Sequence, residues 1–104
     1  MISVERIDEL RSEVGEEDFA EIAALFLSEA DLLVSDLAEV PDMAAAEPLL
    51  HSLKGSALNL GFVHLADLCR EGQAAGLSAD AWAARLDRIR AVYEESKARL
   101  AALG

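Results

Sequence analysis

Threonine is missing from this chain of 104 residues, and isoleucine and valine number only four and six. These β-branched residues favour extended backbone, so a sheet has little to be built from. Cysteine occurs once, at Cys69, which excludes an intramolecular disulfide and fits a reducing compartment. Basic residues are few: 9 Lys+Arg stand against 20 Asp+Glu, a formal net charge of -11. A phosphate-coated surface repels such a chain, so neither nucleic acid nor an anionic membrane is an expected partner. No apolar window of about 18 residues occurs, and no basic leader precedes an apolar stretch. A cytoplasmic location is therefore expected.

What remains is rich in alanine and leucine, the strongest helix formers, with 53% apolar content. That is enough for one core and too little for two, so residues 1–104 are expected to form a single all-α domain. Gly15, Pro41 with Asp42, Gly61, and Gly76 with Ser78 punctuate the helical patterns. Between them the spacing predicts a short leading helix from about Val4 to Val14, capped by Ser3 and stopped by Gly15. A long amphipathic helix follows, opening at Glu17 or Asp18 with Asp18 and Glu21 as a capping box and reaching about Val40. Its stripe is Phe19, Ile22, Ala23, Phe26, Ala30, Leu33 and Leu37. Further helices are expected over roughly Asp42–Leu60, Phe62–Ala75 and from Ser78 onward. The last of these carries Trp82, Leu86, Ile89, Tyr93, Ser96, Leu100 and Leu103 at alternating steps of four and three. Such a seam with short connectors predicts an up-and-down antiparallel four-helix bundle, the short additional N-terminal helix lying against one end. The aromatic residues read as core. Cys69, among Leu65, Ala66 and Leu68, reads as a small buried residue.

Acid is unevenly placed, with 14 acidic and 2 basic side chains in residues 1–47 against 6 and 7 in residues 48–104. Solvated helix faces account for most of such a bias, but an anion is better tolerated beside the second half. The third helical segment begins at that boundary. At about 100° per residue, Ala46, Leu49, Leu50, Leu53, Ala57 and Leu60 form one face, and His51 lies about 160° from Leu53. Gly55 and Leu58 follow one and two turns later on the outer side, Glu47 precedes by one turn, and Lys54 flanks. A surface histidine is usually inert and a surface lysine merely solvated. Gly55 is harder to dismiss, because glycine inside a helix costs about 0.5–1 kcal/mol relative to alanine and no neighbouring helix needs the room. Its presence suggests that something outside the domain comes close, and Leu58 beside His51 and Gly55 would form the centre of a docking patch to which Glu47 also belongs.

The chemistry of the same residues agrees. An imidazole titrates near pH 6.5, so much of it is neutral at pH 7 and one ring nitrogen is free as a nucleophile. A lysine three residues on can pair with phosphoryl oxygens. No phosphate-binding glycine loop or kinase signature appears, so ATP has no evident place and a phosphoryl donor would be another protein.

The run His51-Ser52-Leu53-Lys54-Gly55-Ser56-Ala57-Leu58-Asn59-Leu60-Gly61 closely resembles the H-x-L-K-G-[SA]-[SA]-x-x-[LI]-G signature of histidine-containing phosphotransfer (HPt) domains of two-component phosphorelays. Chain length and helix order resemble that family too. The resemblance implies a cytoplasmic phosphocarrier, with no ATP-dependent kinase activity of its own. His51 would accept a phosphoryl group, usually on Nε2, from a receiver-domain aspartyl phosphate and pass it to another receiver. It further implies that Lys54 holds the phosphoryl group, that Gly55 leaves room for the partner, and that Mg²⁺ sits in the receiver's acidic pocket, with no cofactor on this chain. Gln73 falls where the family often has a Glu or Gln that orients the ring. Two positions depart from the pattern: Gly72 replaces a larger apolar residue, and Pro48 stands three residues before His51. The expected partners are response-regulator receivers and a hybrid histidine kinase, met by a monomer. A non-catalytic adaptor that docks on receivers is the alternative, against which the intact His51 argues. A metal-binding bundle would need facing Glu-x-x-His pairs, whereas Glu47 and His51 share an outward face and His64 has only Asp67 nearby.

Overall fold

A computed structural model describes the backbone of residues 2–40, 43–74 and 79–103, and among them there are five helices and no strand. They are α1 (Val4–Val14), α2 (Glu16–Leu37), α3 (Met43–Asn59), α4 (Val63–Ala74) and α5 (Ala79–Leu103). α3 packs on both α2 and α4, α4 on α5, and α2 touches α5, closing the four-helix core, while α1 lies against α2. The all-α bundle with a short extra N-terminal helix is what the hydrophobic periodicity predicts.

α1 starts where Ser3 accepts a side-chain hydrogen bond from the Arg6 backbone N–H at 3.1 Å, and stops at Gly15, whose φ of +84° ends the helical path. Gly15 is the whole connector to α2. That single-residue turn corrects the expected start of α2: the helix opens at Glu16, so Asp18 sits inside the first turn and no side chain caps it. Glu16, Glu17 and Asp18 instead place their charge against the positive end of the helix dipole. The other end is corrected as well. α2 stops at Leu37, where the Ala38 and Glu39 N–H groups bond back three residues to Ser35 and Asp36, and the chain leaves the helix before Val40.

Gly61 makes the turn between α3 and α4 with φ +74°. The Phe62 N–H reaches the Ala57 carbonyl at 2.7 Å and the Gly61 N–H reaches Leu58, the double bond pattern that closes a helix on a left-handed glycine. A Cβ at this glycine would stand 2.8 Å from the Ser3 carbonyl oxygen, because the N-terminus crosses the turn and the Ser3 N–H donates to the Gly61 carbonyl. The short leading helix is thereby fastened to the end of α3.

The predicted stripes supply the core, with Ile22, Phe26 and Leu33 of the α2 stripe only partly buried against it. Ala46, Leu50, Leu53 and Ala57 of α3, with Leu60 just past its end, are buried with Phe19, Ala23, Ala30 and Leu37 of α2 and Leu65, Ala66 and Cys69 of α4, and Leu49 packs half-buried at the edge. From α5, Ile89, Tyr93, Ser96 and Leu100 are buried as expected, and Val92 joins them. Trp82 and Leu86 pack against the core half-buried. Burial pushes the Cys69 thiol up to about 12. This agrees with its reading as a small core residue.

Candidate functional site

α3 owes its orientation to its sequence pattern. With one face sunk between α2 and α4, the opposite face must look outward, and His51, the midpoint of that face, is exposed. Among the described residues its side chain makes no hydrogen bond and no ion pair, so none of them blocks a ring nitrogen from a reactant. Glu47 one turn before it and Ser52 beside it are also exposed. Lys54 is half-buried on the flank, near enough to α4 that its charge is felt at Cys69. Residues at i and i+3 of a helix stand about 5–6 Å apart at Cβ, and a lysine reaches farther, so its ammonium can meet a group bound on the imidazole.

Gly55 sits one turn beyond His51, and a Cβ built on it meets nothing within 4 Å. Among the described residues nothing packs against this position, so the helix backbone is open to approach there. Leu58, a turn later, is 50% exposed. The expected quartet of His51, Lys54, Gly55 and Leu58 therefore lies on one accessible surface, with Glu47 at its N-terminal edge. Pro48 does not break α3, which runs unbroken through it. The proline costs one backbone donor and leaves His51 in regular helix.

Asn59 steadies the far end of this surface. Its side-chain amide donates to the Gly55 carbonyl at 3.1 Å, and its Oδ1 accepts from Arg6 of α1 at 3.4 Å. His64 is half-buried at the start of α4 and away from this face. The side chain of Gln73 lies outside the described residues. No three His, Cys, Asp or Glu side chains converge on a common point among the described residues. No helix among them is long and apolar enough to cross a membrane.

The groove beside His51 also has a wall that helical periodicity alone does not place there. Phe26, Leu32 and Leu33 of α2 face Ser52, Gly55 and Asn59 of α3 across it. The signal in the sequence was slight: Leu25 and Leu32 stand seven apart, off the buried stripe of α2.

Among comparisons with known proteins, a family model described as the Hpt domain matches residues 21–99. The matched span runs from the first turns of α2 to near the end of α5 and includes the whole outward face of α3. Neither the comparison with curated proteins nor that with solved structures returned a match.

Proposed function

The chain belongs to the Hpt domain family, whose members are histidine-containing phosphotransfer domains of phosphorelays, and from that membership we propose that His51 is its phosphorylated residue. The observation that carries the assignment is the exposed imidazole, unpaired among the described residues, beside the open space over Gly55.

In this reading the lone pair of His51 Nε2 attacks the phosphorus of an aspartyl phosphate on a receiver domain. The P–N bond forms as the acyl phosphate P–O bond breaks, and the receiver's carboxylate leaves with the electron pair. Return to a second receiver runs the same exchange backward. Little covalent assistance is needed from this chain, because positioning and charge stabilisation dominate phosphoryl transfer. Lys54 supplies the charge by pairing with phosphoryl oxygens, and Gly55 lets the receiver's loops approach the helix backbone. Mg²⁺ belongs to the receiver in this scheme. The partners are response-regulator receivers and a hybrid histidine kinase.

Incubation with a receiver carrying labelled aspartyl phosphate tests the assignment. Label is expected on the wild type with a phosphorus NMR signal for a P–N bond, none on His51→Gln, and slower transfer to Lys54→Ala. Label retained by His51→Gln places the site elsewhere.

A further inference from the structure

The groove beside His51 combines an apolar floor with negative edges. Leu32 is 66% exposed at its rim, Leu25 is 59% exposed on the same side of α2, and Leu58 projects from α3. These are three of the few large apolar side chains left in solvent, and two of them belong to a helix with seven acidic residues and no lysine or arginine. The acids of α2 are not equivalent. Asp31 turns toward α5, where Tyr93 and Lys97 engage it. Glu29 and Asp36 line the groove instead, and neither has an ion pair among the described residues.

We infer that this α2 wall selects which receiver domain is served: the favoured partner presents an apolar side chain to Leu32 at the rim, with lysine or arginine side chains placed to meet Glu29 and Asp36. The inference rests on the phosphotransfer reading. A receiver domain that delivers a phosphoryl group to His51 must cover the face of α3, and the groove is continuous with that face through Ser52 and Gly55. Unneutralised charge at a rim acts mainly on association rate and on rejection of wrong partners, since like charges brought together are repelled before contact. A second copy of this chain is a poor occupant, because its residues 1–47 hold 14 acidic and 2 basic side chains.

The test uses a panel of receiver domains from the source genome that differ in charge around the phosphoaccepting aspartate. Each is loaded with acetyl phosphate and mixed with wild type, with Glu29→Lys/Asp36→Lys or with Leu32→Ala. All three positions are exposed, so the variants keep the fold, which circular dichroism checks. Basic-edged receivers should label wild type fastest, and the double lysine variant should slow them about tenfold at low ionic strength while speeding acidic-edged ones. Added salt should shrink both differences. Leu32→Ala should slow every productive receiver regardless of charge. Phosphoramidate, a small donor that docks nowhere, should label His51 equally in all three proteins. Equal receiver rates for wild type and the double lysine variant overturn the inference and leave the phosphotransfer reading standing. Labelling by phosphoramidate but by no receiver overturns the partner reading, and the inference with it.

Discussion

The Tyr93 hydroxyl on α5 donates a 2.5 Å hydrogen bond to Oδ1 of Asp31 on α2, 62 residues away in sequence. The same oxygen accepts from Lys97 Nζ at 3.2 Å, and that ammonium lies 4.6 Å from the centre of the Tyr93 ring. The Leu27 carbonyl stands 3.1 Å from the hydroxyl. This cluster ties α2 to α5. The hydrogen bond from Tyr93 is the main reason the Asp31 carboxyl is held below its ordinary value of 3.8.

Replacing Tyr93 by phenylalanine keeps the buried ring and removes that bond. Urea unfolding should then show a loss of about 0.5–1 kcal/mol, less than a charged hydrogen bond contributes in a dry interior because Asp31 is exposed. The sign with pH follows from the lowered Asp31. Its contribution is present above pH 3.8 and fades as pH falls below that, so the gap between wild type and Tyr93→Phe should narrow in acid. A gap of constant size down to pH 2 would mean that Asp31 plays no part in the bond's worth.

Alkali acts on other groups. Cys69 is raised from 9.0 to about 12 by burial, and Tyr93 is raised above 10.0 by burial and by its carboxylate partner. A group with a raised value holds its proton in the folded state after the unfolded chain has released it. Stability therefore falls as pH rises, from about pH 9 for the thiol and from about pH 10 for the phenol, by about 1.4 kcal/mol per pH unit for each group. Denaturation series between pH 8 and 11 should show this slope, and Cys69→Ala should flatten the part that begins near 9. An unchanged slope in that variant would remove the thiol from the account.

The same burial governs reactivity. Thiolate is the nucleophile, and Cys69 is fully buried with its ionisation displaced far above neutrality. Iodoacetamide at pH 8 should leave the native protein unmodified over a time in which the urea-unfolded chain reacts completely. Rapid native alkylation would show that α4 opens locally.

The outward face of α3 was legible because 3.6-residue periodicity, once its apolar side is assigned, leaves no choice about where His51, Gly55 and Leu58 point. Helix ends were less legible. Asp18 with Glu21 has the composition of a capping box, yet Gly15 serves both as stop for α1 and as start for α2, a one-residue turn that composition does not announce. The apolar pattern also runs past Leu37 to Val40, although the backbone has already left the helix. Pairings across the bundle were invisible: Tyr93 with Asp31 and Arg6 with Asn59 depend on how one helix is rotated against another. For the same reason the α2 wall of the groove cannot be read from the periodicity of α2 alone.

Two glycines of the same helix–turn unit should answer oppositely to alanine. Gly55 is regular helix with open space where its Cβ would be, so Gly55→Ala should raise stability by about 0.5–1 kcal/mol through helix propensity alone. Gly61 holds φ +74°, and its Cβ would press on the Ser3 carbonyl at 2.8 Å, a backbone atom that cannot swing aside. Gly61→Ala should cost at least about 1–2 kcal/mol and loosen α1 from the bundle. Chemical denaturation measures both, and protection of the α1 amides from hydrogen exchange reports the loosening. If Gly55→Ala is more stable yet accepts phosphoryl groups from a receiver more slowly, while phosphoramidate still labels His51 at the wild-type rate, the glycine is kept for the visitor and against the fold. If Gly55→Ala destabilises the bundle, the space over that helix turn serves the chain's own packing.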